Sequence, residues 1–136
     1  MIKPWYGFTF ISLILYGFWG FWGAKTSAEV GARSANFYAA VGTFVVGLLC
    51  ITLMNFKPVF TVKGMTYGVL TGAATGIGTL FFLAALRLGP AIPIIIITAL
   101  YPLVSTVLLI IFFDQTITLK QFIGIIFSLV ALVLLS

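Results

Sequence analysis

Apolar residues fall into five long blocks, and every charge in the chain lies at a block end or between blocks. The blocks cover residues 4–24, 34–55, 65–88, 91–113 and 118–136. Each is close to the roughly 20 apolar residues that carry a helix across a hydrocarbon core. Lys3 precedes the first block. Lys25, Glu29 and Arg33 separate the first from the second, and Lys57 and Lys63 the second from the third. Arg87 closes the third, and Asp114 and Lys120 mark the last connection. Two independent signals, apolar length and charge position, therefore agree. They predict an all-α polytopic membrane protein with five transmembrane helices, in one domain over residues 1–136. Gly89-Pro90 and residues 114–117 leave room only for tight turns, so no soluble domain fits between the spans.

Within the blocks, small and polar residues are periodic. The third carries Gly64, Gly68, Gly72 and Gly76 at steps of four, with Thr71, Thr75 and Thr79 alongside. Membrane helices pack closely through such faces, because lipid offers no hydrophobic drive for helix association. These four glycines are therefore helix-packing candidates. In the first block Trp5, Thr9, Ser12, Tyr16, Trp19 and Gly23 recur at steps of four and three, which puts them on one face. Trp5, Tyr6 and Trp22 lie near block ends, where aromatic residues anchor helices to the interface. Tyr16 and Trp19 lie deeper, either lining a cavity or packing. The second block has Asn36, Ala40, Thr43, Gly47 and Cys50 on one face, and the fifth has Gln121, Gly124, Ser128 and Ala131.

The fourth block is chemically the most informative. Thr98, Tyr101, Pro102 and Ser105 share one face of an otherwise Ile- and Leu-rich helix. Pro102 has no N–H, so the carbonyl of Thr98 loses its helical partner. An unpaired polar group in hydrocarbon costs several kcal/mol, so the bend is expected to face protein, water or substrate. Hydroxyls around a freed carbonyl suit the wall of a midplane site; interhelical bonding or kink repair is the alternative use of the same groups. Tyr16, Trp19, Asn36, Thr98, Tyr101, Pro102 and Ser105 are thus the substrate-pathway candidates.

Composition narrows the chemistry. Hydrophobic residues make up 62% of the chain and charged residues 7%, against roughly 25% charged in soluble domains. The net charge of +5 comes from scattered residues, with no basic stripe to meet a phosphate backbone. No nucleic-acid partner is expected. One cysteine, Cys50, excludes an intrachain disulfide, and the absence of histidine argues against a metal site or cofactor. No acid lies at mid-span, so the usual carrier for proton or cation coupling is missing. An enzyme is the least expected class, since no nucleophile has a base within reach. The first block, with its tryptophans and its Gly-Ala-Lys end, reads as a retained helix rather than a cleaved signal.

Several short motifs then line up: Gly76-Ile-Gly78, Phe82-Leu-Ala-Ala-Leu86, Pro90, Leu100-Tyr-Pro-Leu103, and Phe112-Phe-Asp-Gln-Thr-Ile-Thr118 followed by Gln121 and Gly124. With Trp19-Gly20, these resemble the EamA-type domain of the drug/metabolite transporter superfamily, in its single-domain, five-helix bacterial and archaeal form. The resemblance implies one half of an inverted-repeat transporter fold, without catalytic residues. It also implies a multi-pass location in the cell membrane of a bacterium or archaeon. This chain departs from the pattern at Asp114, where the family usually has Glu.

Five spans place the termini on opposite sides. Lys3, Lys57, Lys63 and Lys120 then face Lys25, Arg33 and Arg87 across the membrane, a weak bias. Insertion in both orientations and an antiparallel homodimer follow as an expectation; a fixed orientation would favour an inside amino terminus. The functional expectation is a small-molecule (metabolite or drug) transporter working by alternating access as a dimer. A lipid or lipid-linked-sugar flippase component and a non-transporting assembly subunit are the alternatives.

Overall fold

The computed structural model describes residues 5–113 and 115–135, with the Leu135 side chain excepted. Asp114, read above as marking the last connection, lies outside the described residues, as do Lys3 and Pro4. The described chain is helical apart from short connections and has no strand. It divides after Leu88 into two units.

The N-terminal unit contains α1 (Trp5–Leu53) and α2 (Val62–Leu88). The long α1 corrects the expectation of a loop over residues 25–33. That stretch stays helical on both sides of one residue, Gly31, whose φ of 79° and ψ of 163° break the helix. The reason is local: Lys-Thr-Ser-Ala-Glu-Val contains no proline and enough good helix formers to extend the first span. The turn is left to a glycine, which enters this backbone region without a Cβ clash. The two arms, residues 5–30 and 32–53, are each long enough to cross a bilayer.

The second arm ends in a Schellman motif. The Phe56 N–H donates to the Ile51 carbonyl at 2.9 Å and the Asn55 N–H to the Thr52 carbonyl at 2.9 Å. Asn55 takes the left-handed conformation that favours asparagine, and Phe56 follows it at φ 58°. Thr61 then caps α2 by accepting the Gly64 N–H at 3.1 Å. This cap starts the helix three residues before the expected boundary.

The C-terminal unit contains α3 (Ala91–Thr98), α4 (Tyr101–Phe113) and α5 (Leu119–Leu135). The expected fourth span, 91–113, is thus one apolar stretch with an interruption at residues 99–100. Pro93 sits in the first turn of α3, where its missing N–H costs nothing. Thr118 and Gln121 form a capping box at the start of α5. Gln121 Oε1 accepts the Thr118 N–H at 2.7 Å, and the Gln121 N–H reaches Thr118 Oγ1 at 3.3 Å. Gln121, read above as part of one small and polar face, is here a cap. The α5 positions that are partly covered are Ile125, Ser128, Ala131 and Leu132, in a unit where α3 packs on α5. Gly124 is exposed, with nothing within 4 Å of an added Cβ.

Large apolar side chains dominate the exterior of both units: Phe8, Leu13, Phe44, Val69, Leu109 and Phe127 are all more than 45% exposed. Apolar surface on this scale needs a hydrocarbon solvent. Three helical stretches are long and apolar enough to span a membrane, namely Trp5–Leu53, Val62–Leu88 and Ala91–Phe113. The first of these holds two spans, one on each side of Gly31. Over its 17 described residues, α5 rises about 26 Å.

Candidate functional site

Polar groups inside a membrane must find partners, and this chain meets that demand mostly within each helix. The hydroxyls of Thr9, Ser12, Thr43, Thr66, Thr71, Thr75, Thr79, Thr106 and Ser128 each donate to the carbonyl four residues earlier, at 2.7–3.0 Å. A hydroxyl bonded this way is compatible with a lipid-facing position. The same bond serves an inward position equally well: Thr79 is buried, and Thr106 and Ser128 are partly covered.

The hydroxyls that do not follow this pattern are the informative ones. In the C-terminal unit, the interruption between α3 and α4 is held by the Ala99 N–H on the Ile95 carbonyl (2.9 Å). The Leu100 N–H on Ile97 (3.1 Å) and the Leu103 N–H on Leu100 (2.9 Å) follow. The last two are tight i→i−3 bonds, as expected where a helix is strained. Ala99 keeps right-handed angles, φ −63° and ψ −5°, so the kink owes nothing to glycine. Pro102 offers the Thr98 carbonyl no donor. Among the described residues, the side chains of Thr98, Tyr101 and Ser105 make no hydrogen bond. Thr98 is partly covered, while Tyr101, Pro102 and Ser105 are exposed. Below the kink, Ser105, Leu108, Leu109, Phe112 and Phe113 line an open, almost wholly apolar groove on α4.

In the N-terminal unit, Trp19 stacks on Phe82 with ring centroids 4.8 Å apart and planes 17° from parallel. Trp19 is thus partly a packing residue. Tyr16, one turn away, is 63% exposed. Asn36 is partly covered, next to the buried Ala35 on the second arm. Neither Tyr16 nor Asn36 makes a side-chain hydrogen bond among the described residues. The seven pathway candidates therefore fall into two groups, three in one unit and four in the other.

The tightest packing brings together members of the two periodic stripes, Trp19 and Gly23 on α1 and Thr79 on α2, with residues outside them, Ser27 and Leu83. Ser27 is fully buried, Leu83 is 2% exposed, Ala35 3%, Phe82 5% and Thr79 8%. Gly20 is buried too, and an added Cβ at Gly23 would stand 3.5 Å from both Leu83 and Phe82. Ser27 Oγ donates to the Leu83 carbonyl at 2.7 Å. Arg87 Nη1 donates to the carbonyls of Ser27 (3.3 Å) and Ala28 (3.0 Å). From Trp19–Phe82 to Ala28–Arg87 the register advances in the same direction, so the first arm of α1 and α2 run parallel here. Beyond this crossing both are exposed toward their amino-terminal ends.

The signal was present as small residues at Gly20, Ala24, Ser27, Gly31 and Ala35. By contrast, Gly68, Gly72 and Gly76 meet nothing within 4 Å. A Cβ at Gly64 would lie 2.7 Å from Thr61 Oγ1, which gives that glycine a local reason at the helix cap. Any packing across Gly68 and Gly72 needs a surface outside α1 and α2.

The helices and their apolar exterior define a polytopic membrane protein. The chain belongs to the EamA-like transporter family, whose model matches residues 3–136. Members of that family are transporters rather than enzymes. The chain is also 28% identical, over 133 residues, to the uncharacterized protein MJ1333.1 of Methanocaldococcus jannaschii, an alignment covering 82% of this chain and 96% of that protein. No solved structure matches.

Proposed function

We propose that this protein is a small-molecule transporter of the drug/metabolite superfamily, working by alternating access as a dimer in the cell membrane of a bacterium or archaeon. The observation that carries the proposal is the contrast among hydroxyls. Most threonine and serine hydroxyls along the spans bond carbonyls of their own helices. Thr98, Tyr101 and Ser105 lie together in sequence at a proline kink and make no side-chain hydrogen bond among the described residues, a state met elsewhere at separate positions such as Tyr16, Thr26 and Ser34. Polar groups left open at mid-span suit a substrate that takes them up transiently. Donors and acceptors without charge suit a neutral or zwitterionic molecule, and the adjoining Phe112–Phe113 groove offers its apolar part a surface. The Tyr16–Trp19 turn of α1 is a second candidate wall, reached through an aromatic pair rather than through hydroxyls.

The dimer reading rests on α2. Its Gly68–Gly72 face is small, its threonines are self-bonded, and nothing in the chain's N-terminal unit covers it. A second copy, inserted in the opposite orientation, completes an inverted pair. Gly68→Leu is then expected to abolish crosslinking between copies while leaving the unit's own packing intact. The transport reading is tested by reconstituting purified protein in liposomes and screening a metabolite mixture for protein-dependent uptake. Flux of one compound class supports it. Movement of labelled lipid without metabolite flux, or neither activity together with stable co-purification of another membrane protein, overturns it.

A further inference from the structure

The first arm of α1 is joined to the second through one residue, Gly31, at φ 79° and ψ 163°, a conformation essentially restricted to glycine. That arm is held to α2 only over residues 19–28, and its earlier residues are exposed. The holding contacts differ in kind. Ser27 is fully buried and bonds the Leu83 carbonyl at 2.7 Å, which makes a fixed point shielded from competing water. Arg87 is exposed and grips the Ser27 and Ala28 carbonyls at the edge of the crossing. These carbonyls belong to the last turn before the break, where the ladder is interrupted and the negative end of the helix dipole lies. No carboxylate pairs with Arg87 among the described residues. Its hold is therefore on neutral oxygens at an accessible edge, and water or an anionic group can compete for it.

From this arrangement we infer that Gly31, Ser27 and Arg87 form a hinge, pivot and latch. The arm bearing Tyr16 and Trp19 swings about the Ser27–Leu83 contact, Gly31 absorbs the change in backbone angle, and Arg87 sets how much of the population is closed. Arg87 is in this sense a positioning residue for Trp19, which the closed arm keeps stacked on Phe82 at 4.8 Å. The inference goes beyond the transport reading and does not depend on it, since arm position is measured without substrate.

The experiment is pulsed electron paramagnetic resonance in lipid nanodiscs. Spin labels are attached at Phe10→Cys and Met65→Cys, toward the open ends of the arm and of α2, on a Cys50→Ala background. Labelled chains are diluted with unlabelled protein so that only distances within one chain are read. Arg87→Gln is expected to add a second, longer distance population, and Arg87→Lys, which keeps a cationic donor, to restore most of the original distribution. Gly31→Ala, whose Cβ meets nothing within 4 Å but whose φ is unfavourable, is expected to shift the distribution by a separate route. A distribution unchanged by Arg87→Gln, or by Gly31→Ala, overturns the inference. So does equal broadening in Arg87→Gln and Arg87→Lys, which indicates general loosening. If Arg87→Gln does not fold, a distribution shifted by Gly31→Ala and kept by Arg87→Lys supports the inference, and one that Gly31→Ala leaves unchanged overturns it.

Discussion

The two units interrupt their helices by opposite means. In the N-terminal unit the break is a glycine in a left-handed region, and neighbouring side chains bridge to the next helix: Ser27 to Leu83 and Arg87 to two carbonyls. In the C-terminal unit the break precedes a proline, the backbone stays right-handed, and no side-chain hydrogen bond joins its helices among the described residues. Glycine supplies a torsion that other residues resist, so it makes a joint, and the joint is tied by specific bonds. Proline removes a donor and fixes its own φ, so it makes a bend with a free carbonyl. The first solution ties one helix to the next; the second leaves a carbonyl without a helical donor.

If that contrast holds, substitutions in the two units separate stability from transport. The largest effect is expected for Ser27→Leu, which forces bulk into a site with no exposure. Overpacking there should cost about 3 kcal/mol in detergent unfolding titrated with SDS. A loss under about 1 kcal/mol would show that the crossing is loose. Next comes Pro102→Ala, which gives the Thr98 carbonyl a donor. Uptake in liposomes should fall about fivefold, equivalent to about 1 kcal/mol of activation free energy, with unfolding little changed. Unaltered uptake kinetics would remove the kink from the mechanism.

Smaller changes sharpen the comparison further. Ser27→Ala deletes one interhelical bond without adding volume, and about 0.6 kcal/mol is typical of such bonds in membranes. The smallest effect belongs to Thr75→Val, because the Thr75 hydroxyl bonds only the Thr71 carbonyl of its own helix at 2.8 Å. Its unfolding should match the unaltered chain within about 0.5 kcal/mol. A larger loss would mean that self-bonded threonines also meet a partner.

Much of this architecture was legible in the order of residues. The spans, the charged ends and the bend before Pro102 followed from apolar length, charge position and the missing N–H. The Gly31 joint was not legible as such. A run of Lys, Glu and Arg reads as a connection, yet residues 25–30 have helix-forming character and continue the span. Nor did a glycine stripe reveal its occupant: Gly68 and Gly72 meet no neighbour, while Gly20, Gly23 and Ser27 of α1 line the tightest contact. Spacing places residues on a face but does not say which other face meets it.

The sequence by itself determined the solvent, since a chain this apolar and this poor in charge has to lie in hydrocarbon, and with that its helical class and its spans. Only the tertiary structure decided which small residues touch, that Arg87 reaches back to the end of α1, and which hydroxyls remain unspent. The physical reason is one of range. Solvent match and helix formation depend on residues near one another in the chain, whereas the partners Ser27–Leu83 and Ala28–Arg87, 56 and 59 residues apart, exist only once two helices have crossed.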